Sequence, residues 1–134
     1  MVAETELGDL VRNLRMADLE TTFRNLQSAY TRKDIATMMS MVTEDYSVYN
    51  VTDAGPKQLV GSREEAARAL EFVFGNESYI SGHAESIQVL GNIVYAKEID
   101  VYDQDGAQVQ STRFGVYEFV GDKLFRAWNF PVRE

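Results

Sequence analysis

The sequence predicts an α+β domain in which helices come first and an antiparallel meander follows. Apolar residues recur at helical spacing through the first half of the chain. After residue 78, β-branched and aromatic residues dominate. The dipeptides Gly91-Asn92, Asp105-Gly106 and Gly121-Asp122 divide that second half into strands joined by two-residue hairpin turns.

The elements follow in order. Leu7, Leu10, Val11 and Leu14 share a helical face, as do Leu19, Phe23, Leu26 and Tyr30, so residues 5–31 form two consecutive helices or one bent helix. A short helix after Arg32-Lys33-Asp34 has Ile35, Met38, Met39 and Val42 apolar, and Met38, Met39 and Met41 suit core filling. TEDYSVYNVTD reads as a strand with Tyr46, Val48 and Asn50 on one face, and DAGPK as a loop. GSREEAARALEFVFGN is a helix opened by a Ser62/Glu65 capping box and stopped by Gly75. SGHAESIQVL, IVYAKEIDVYD, AQVQSTRFGVYEFV and KLFRAWNFPV are the meander strands.

With 134 residues, the chain is long enough for one domain with a real core, residues 1–134, of which 1–18 form an N-terminal helical extension. Hydrophobic residues make up 45% and charged residues 25%, a soluble globular mix. The net charge of −8 argues against nucleic acid and anionic membrane as partners. With no cysteine there is no disulfide, no thiolate nucleophile and no Cys-based zinc site. No apolar run approaches the ~18–20 residues of a membrane span. The acidic, amphipathic N-terminus is unlike a secretory signal, so the expected location is cytoplasmic. No motif calls for a cofactor.

Two-residue turns set register, so neighbours across the strands can be written down. Glu85 should face Glu98, and His83 should face Asp100. On the other side Asp100 should face Ser111, Glu98 face Arg113 and Ala96 face Gly115. Around the last turn Gly115 should face Trp128, Arg113 face Phe130 and Tyr117 face Arg126. All of these lie on one face. The opposite face carries Tyr95, Ile99, Val101, Phe114, Val116 and Phe125, with Lys97 and Gln88 among them. Helices can cover only one face, and the other is too apolar for water. A homodimer through that face is expected, unless a loop covers it.

The candidate site lies on the first face. His83, the only histidine, is a general base oriented by Asp100, or a surface histidine at a strand start. Glu85 and Glu98 would repel unless one holds a proton, and Arg113 offers Glu98 a buried salt bridge. A metal site from His83, Glu85, Glu98 and Asp100 is possible by ligand type, but no spacing supports it, so none is expected. Ala96 and Gly115 leave space in mid-sheet. They could floor a pocket walled by Trp128 and Phe130 for a flat apolar ligand, with Tyr46, Tyr102 and Tyr117 nearby. Alternatively Trp128 packs closely against Phe23 and Leu26.

The stretches RKDIATMMSMVTEDYSVYNV, LVGSREEAARALEFVF, IVYAKEIDVYD and RFGVYEFVGDKLFRAWNF together resemble the nuclear transport factor 2-like superfamily, particularly its SnoaL-like polyketide cyclase branch. The resemblance implies a cone-shaped curved antiparallel sheet of the cystatin-like kind. Its concave face and the helices enclose a pocket, and its convex face often dimerises. AKEIDVY and GVYEFVGDKLFRAWNF are similar to the limonene-epoxide hydrolase pattern. That pattern has an Arg and an Asp two residues apart on one strand, a second Asp two residues after the last-strand Trp, and an Asn near the end of the first strand. Asn50 and Asp100 match, whereas Glu98 stands in place of the Arg and Phe130 in place of the second Asp. In the ketosteroid isomerase pattern the base would fall at Asn50 and the acidic donor at Gly115. The function expected is acid–base chemistry (isomerase, cyclase, hydratase or hydrolase) on a small apolar oxygen-bearing molecule. Asp100 and His83 would transfer protons and Asn50 would orient water or a carbonyl. The alternatives are a non-catalytic small-ligand module and a dimeric assembly domain.

Overall fold

The structure, a computed structural model, describes residues 4–76 and 78–132, and within the first helix the side chains of residues 6–10 and 18–31. Residues 1–3 of the expected extension, and the side chains of Val11 and Leu14, lie outside the described residues.

Helix α1 (Glu4–Thr31) is one continuous element. Lys33, with φ of 60°, ends it by entering the left-handed region. Asp34 then caps α2 (Ile35–Ser40), accepting from the Thr37 N–H at 3.2 Å. Strand β1 (Val42–Thr52) follows directly. The DAGPK segment is only partly a loop. Gly55 and Pro56 begin β2 (Gly55–Val60), which pairs antiparallel with β1 from Thr52↔Gly55 onward. Pro56 is tolerated because β2 is an edge strand. Ser62 caps α3 (Arg63–Gly75) through the Glu65 N–H at 3.1 Å, and the Glu65 carboxylate reaches back to the Gly61 N–H at 2.9 Å.

The meander is β3 (Tyr79–Leu90), β4 (Ile93–Gln104), β5 (Ala107–Val120) and β6 (Lys123–Pro131). Its turns fall where the sequence places them, closing Leu90↔Ile93, Gln104↔Ala107 and Val120↔Lys123. In the middle turn Asp105 and Gly106 both have positive φ, 53° and 85°, which the Asp-Gly pair accommodates. The sheet order is β2-β1-β6-β5-β4-β3. Every pairing is antiparallel except β1 with β6, so the sheet is mixed.

The helices lie on one face. Leu19, Phe23, Leu26 and Ala29 of α1 share a core with Val94, Ala96, Tyr117, Phe119, Leu124 and Ala127 of the sheet. No described helix is long and apolar enough to cross a membrane.

Two bulges correct the expected register. Between Ala84 and Ser86 the β3–β4 ladder shifts, so Ala84 faces Glu98, Gly82 faces Asp100 and His83 faces Ile99. Between Glu118 and Phe119 the β5–β6 ladder shifts as well, so Gly115 faces Asn129, Val116 faces Trp128 and Phe114 faces Phe130. A one-residue slip turns every following side chain to the other face. Residues His83, Glu85, Arg126, Trp128 and Phe130 therefore leave the helix-covered face, and Ala127 and Asn129 enter it. The β4–β5 register is the one expected, including Glu98↔Arg113 and Ala96↔Gly115.

Candidate functional site

A cavity of about 370 Å³ lies between the concave face of the sheet and α1, α2 and α3. Much of its wall is apolar: Phe23 and Leu26 from α1, Met38 and Met39 from α2, Val42 and Val48 from β1, and Ala66 and Leu70 from α3. Leu59 and Val73 line it while 55% and 37% exposed, so it reaches solvent between β2 and α3.

The wall turns polar where α1 meets β4 and β5. On α1, Phe23, Leu26, Gln27 and Tyr30 occupy one helical stripe facing the cavity. The Gln27 amide donates to Glu98 Oε1 at 2.9 Å, and the Tyr117 hydroxyl donates to Glu98 Oε2 at 2.5 Å. Arg113 Nε donates to Asp100 Oδ2 at 2.8 Å, and its Nη2 lies 3.6 Å from Glu98 Oε1. Glu98 and Asp100 are only 3% and 5% exposed. Asp100 Oδ1 accepts no hydrogen bond among the described residues. It lies over Gly82, as does the buried Tyr79 hydroxyl, which also lacks a well-formed bond among them.

Two glycines make room for these carboxylates. A Cβ on Gly82 would sit 2.6 Å from Asp100 Oδ1, and one on Gly115 would sit 2.7 Å from Glu98 Oε2 and 2.6 Å from the Tyr117 hydroxyl. The space above Gly115 is thus filled by the Tyr117–Glu98 pair, not left for a ligand. Tyr117 packs on Phe23 with ring centroids 4.7 Å apart.

Electrostatics follow from burial. Burial holds the Tyr117 phenol well above its ordinary value, and the Glu98 charge adds to this. Burial alone would push the Arg113 guanidinium down, but Tyr117, Glu98 and Asp100 together hold it above its usual range. Two carboxylates facing one guanidinium leave the cluster one negative charge in excess when all are ionised.

Of the expected site residues, Asp100, Glu98, Arg113, Tyr117 and Tyr46 line the cavity. Asn50 does not line the cavity; its amide oxygen accepts from Asn129 Nδ2, which does, at 3.1 Å. His83 borders the cavity at Gly82, but it is exposed and shares the convex side with Ile99, so the expected His83–Asp100 pair does not form. Glu85 is not opposite Glu98; it pairs with Lys97 at 2.8 Å on the convex side. A four-residue metal cluster therefore does not assemble from His83, Glu85, Glu98 and Asp100. Trp128 contributes to the wall, but its ring stacks on Tyr49 at 5.8 Å and not on Phe23 or Leu26. Phe130 is 38% exposed on the convex face, and Tyr102 packs against Tyr79 at 5.7 Å outside the cavity. The salt bridge also differs from expectation: the close partner of Arg113 is Asp100, and Glu98 is held chiefly by Gln27 and Tyr117.

Gln27, Tyr30, Tyr79 and Asn129 belong to the site and were not expected. Gln27 had a signal, a polar residue within an apolar helical stripe. Asn129 had none, because only the β6 bulge turns it inward. Its Oδ1 is buried without a hydrogen-bond partner among the described residues.

Neither a family model nor a curated protein matches the sequence. Solved structures do match the fold. An LEH-like epoxide hydrolase from M. tuberculosis superposes with a TM-score of 0.73 at 14% identity, covering 87% of this chain and 84% of that one. An uncharacterized cystatin fold protein from Novosphingobium aromaticivorans gives 0.67 at 24% identity, covering 87% and 97%. A de novo designed protein with a curved β-sheet gives 0.69 at 10% identity, covering 87% and 86%. The chain has the nuclear transport factor 2-like cone, an α+β fold of the cystatin type. A natural enzyme and a designed protein share it, so the fold leaves the chemistry to the site.

Proposed function

We propose that the chain is an acid–base enzyme of isomerase, cyclase, hydratase or hydrolase type, acting on a neutral apolar molecule that bears oxygen, with Asp100 as the proton acceptor. One observation carries this reading: Asp100 is buried on the wall of an apolar cavity with one carboxylate oxygen fixed by Arg113 and the other without a hydrogen-bond partner among the described residues. A carboxylate held in one orientation with a vacant lone pair can take a proton from a bound molecule or from water. Arg113 is a positioning residue, and Glu98, clamped by Gln27 and Tyr117, positions Arg113. Asn129, braced by Asn50, offers an amide oxygen that could orient a hydroxyl or a water. The Asp–Arg pairing of the limonene-epoxide hydrolase pattern is made here across two strands, and an epoxide hydrolase shares the fold.

The test needs no natural substrate. 2-Acetylnaphthalene suits the cavity in size and carries acidic methyl protons. Their exchange in D₂O, followed by proton NMR, should run faster with protein than in buffer, and Asp100→Asn should slow it about 10²- to 10⁴-fold. Exchange at the buffer rate, or an unchanged rate in Asp100→Asn, would exclude the reading and leave a binding module.

We also infer that a second copy of the chain covers the convex face. Tyr95, Phe114 and Phe130 are 41%, 47% and 38% exposed there, next to Ile93, Val116 and Trp128. The Arg126–Glu118 ion pair, 2.7 Å long, borders this patch and supplies both charges to a self-complementary contact.

A further inference from the structure

Helix α3 is fastened along one edge and open along the other. Phe74 meets the Tyr30 ring edge-on at 5.1 Å and lies 6.0 Å from the Tyr79 ring, which ties α3 to α1 and β3. Ala66, Ala69, Leu70 and Val73 recur at helical spacing and line the cavity. Among the described residues of α3 only Ala66 is buried. A helix lying over a cavity forgoes the contacts that a filled core would supply. It is therefore held less firmly than one that covers a packed core.

The open edge borders the mouth of the cavity. Ala69 and Phe72 are one turn apart there, both exposed, and Leu59 lines the mouth from β2. At 80%, Phe72 is the most exposed large apolar residue described. Leu59 owes its place to a bulge. The β1–β2 ladder pairs Val48 with Val60 and Tyr49 with Gln58, so Leu59 is the extra residue and turns outward. Single exposed apolar residues are ordinary on a surface. Two of them flanking the entrance of an apolar cavity make a patch with a use.

We propose that α3 is a lid that closes over a bound ligand. A molecule in the cavity gives Ala66, Ala69, Leu70 and Val73 the contacts they lack, and this differential contact favours a closed position. The helix moves toward β2 with Phe74 as its fixed edge, and Phe72 comes to rest on Leu59. Closure takes both exposed side chains out of water and shuts the ligand in. The proposal rests on the cavity being a ligand site, but it does not depend on turnover.

The test uses 2-acetylnaphthalene as the probe and has two parts. The chain has no cysteine, so Phe72→Cys places a single thiol on the open edge. Saturating probe should slow its alkylation by iodoacetamide about three- to tenfold. The control Val109→Cys, at an exposed position on β5, should react at the same rate with and without probe. In the second part, Phe72→Gln should leave the urea midpoint of the free protein unchanged, because the ring is exposed there. Calorimetry should nevertheless show probe binding weakened about three- to tenfold, with Phe72→Leu restoring most of it. A helix that stays open predicts equal alkylation in both states and a Phe72→Gln variant that binds like wild type, and either result would overturn the proposal. So would a loss of stability in free Phe72→Gln, since the ring would then be packed already. No binding of 2-acetylnaphthalene would overturn it together with the ligand role of the cavity. Protection at position 72 without Asp100-dependent proton exchange would overturn the acid–base reading alone.

Discussion

Arg113 bonds Asp100, its diagonal neighbour, at 2.8 Å, although Glu98 stands directly across the ladder from it. The reason lies in the other partners of Glu98. Gln27 and Tyr117 already donate to its two oxygens, so the guanidinium turns to the carboxylate that lacks donors. The result is an ordered chain from Gln27 and Tyr117 through Glu98 and Arg113 to Asp100.

Removing the cation should leave two buried carboxylates without compensation. Arg113→Met should cost roughly 3–5 kcal/mol at neutral pH, the range for breaking a buried ion pair. Urea unfolding at neutral pH checks this, and a loss within about 1 kcal/mol would show that the ion pair contributes no more than an exposed one.

Alkaline pH should unfold the chain through its phenols. Burial raises Tyr30, Tyr46, Tyr79 and Tyr117 in the folded state. Groups with raised folded values contribute stability fully below the unfolded value, 10.0 for tyrosine, and lose it as pH climbs toward the folded values. Tyr79 and Tyr117, at 2% and 8% exposure, should each remove up to about 1.4 kcal/mol per pH unit above that point. Unfolding midpoints should fall above about pH 10, with phenolate absorbance appearing in step. Ionisation of all the tyrosines near pH 10 with the fold intact would contradict the burial of these four.

The dimer reading has a direct check. Phe114→Glu places a charge in the middle of the exposed patch, where a monomer should tolerate it within about 0.5 kcal/mol. Sedimentation should show a dimer for wild type and a monomer for the variant, because a stable contact needs about 800 Å² per partner and tolerates no unpaired charge at its centre. A monomeric wild type at tens of micromolar would rule the dimer out.

Much of this was legible in the residues. The helical stripe of Phe23, Leu26 and Tyr30, the Ser62 cap and the three turns all act locally, and the structure carries them as read. The Asp105-Gly106 turn set the β4–β5 ladder to its last pair, so Glu98, Asp100 and Arg113 were placed correctly on one face. The bulges were not legible. An extra residue at Glu85 or near Phe125 has no local signature, and each turned a predicted site residue outward.

The sequence by itself thus determined which carboxylates and which cation share a strand face, because alternation and two-residue turns are short-range constraints. Tertiary structure alone decided who pairs with whom. Whether Arg113 meets Glu98 or Asp100 depends on Gln27, which α1 delivers from 71 residues away. Whether the Trp128 ring or the Asn129 side chain turns to the concave face depends on where the sheet takes up its extra residue, a position the turn at Gly121-Asp122 does not set.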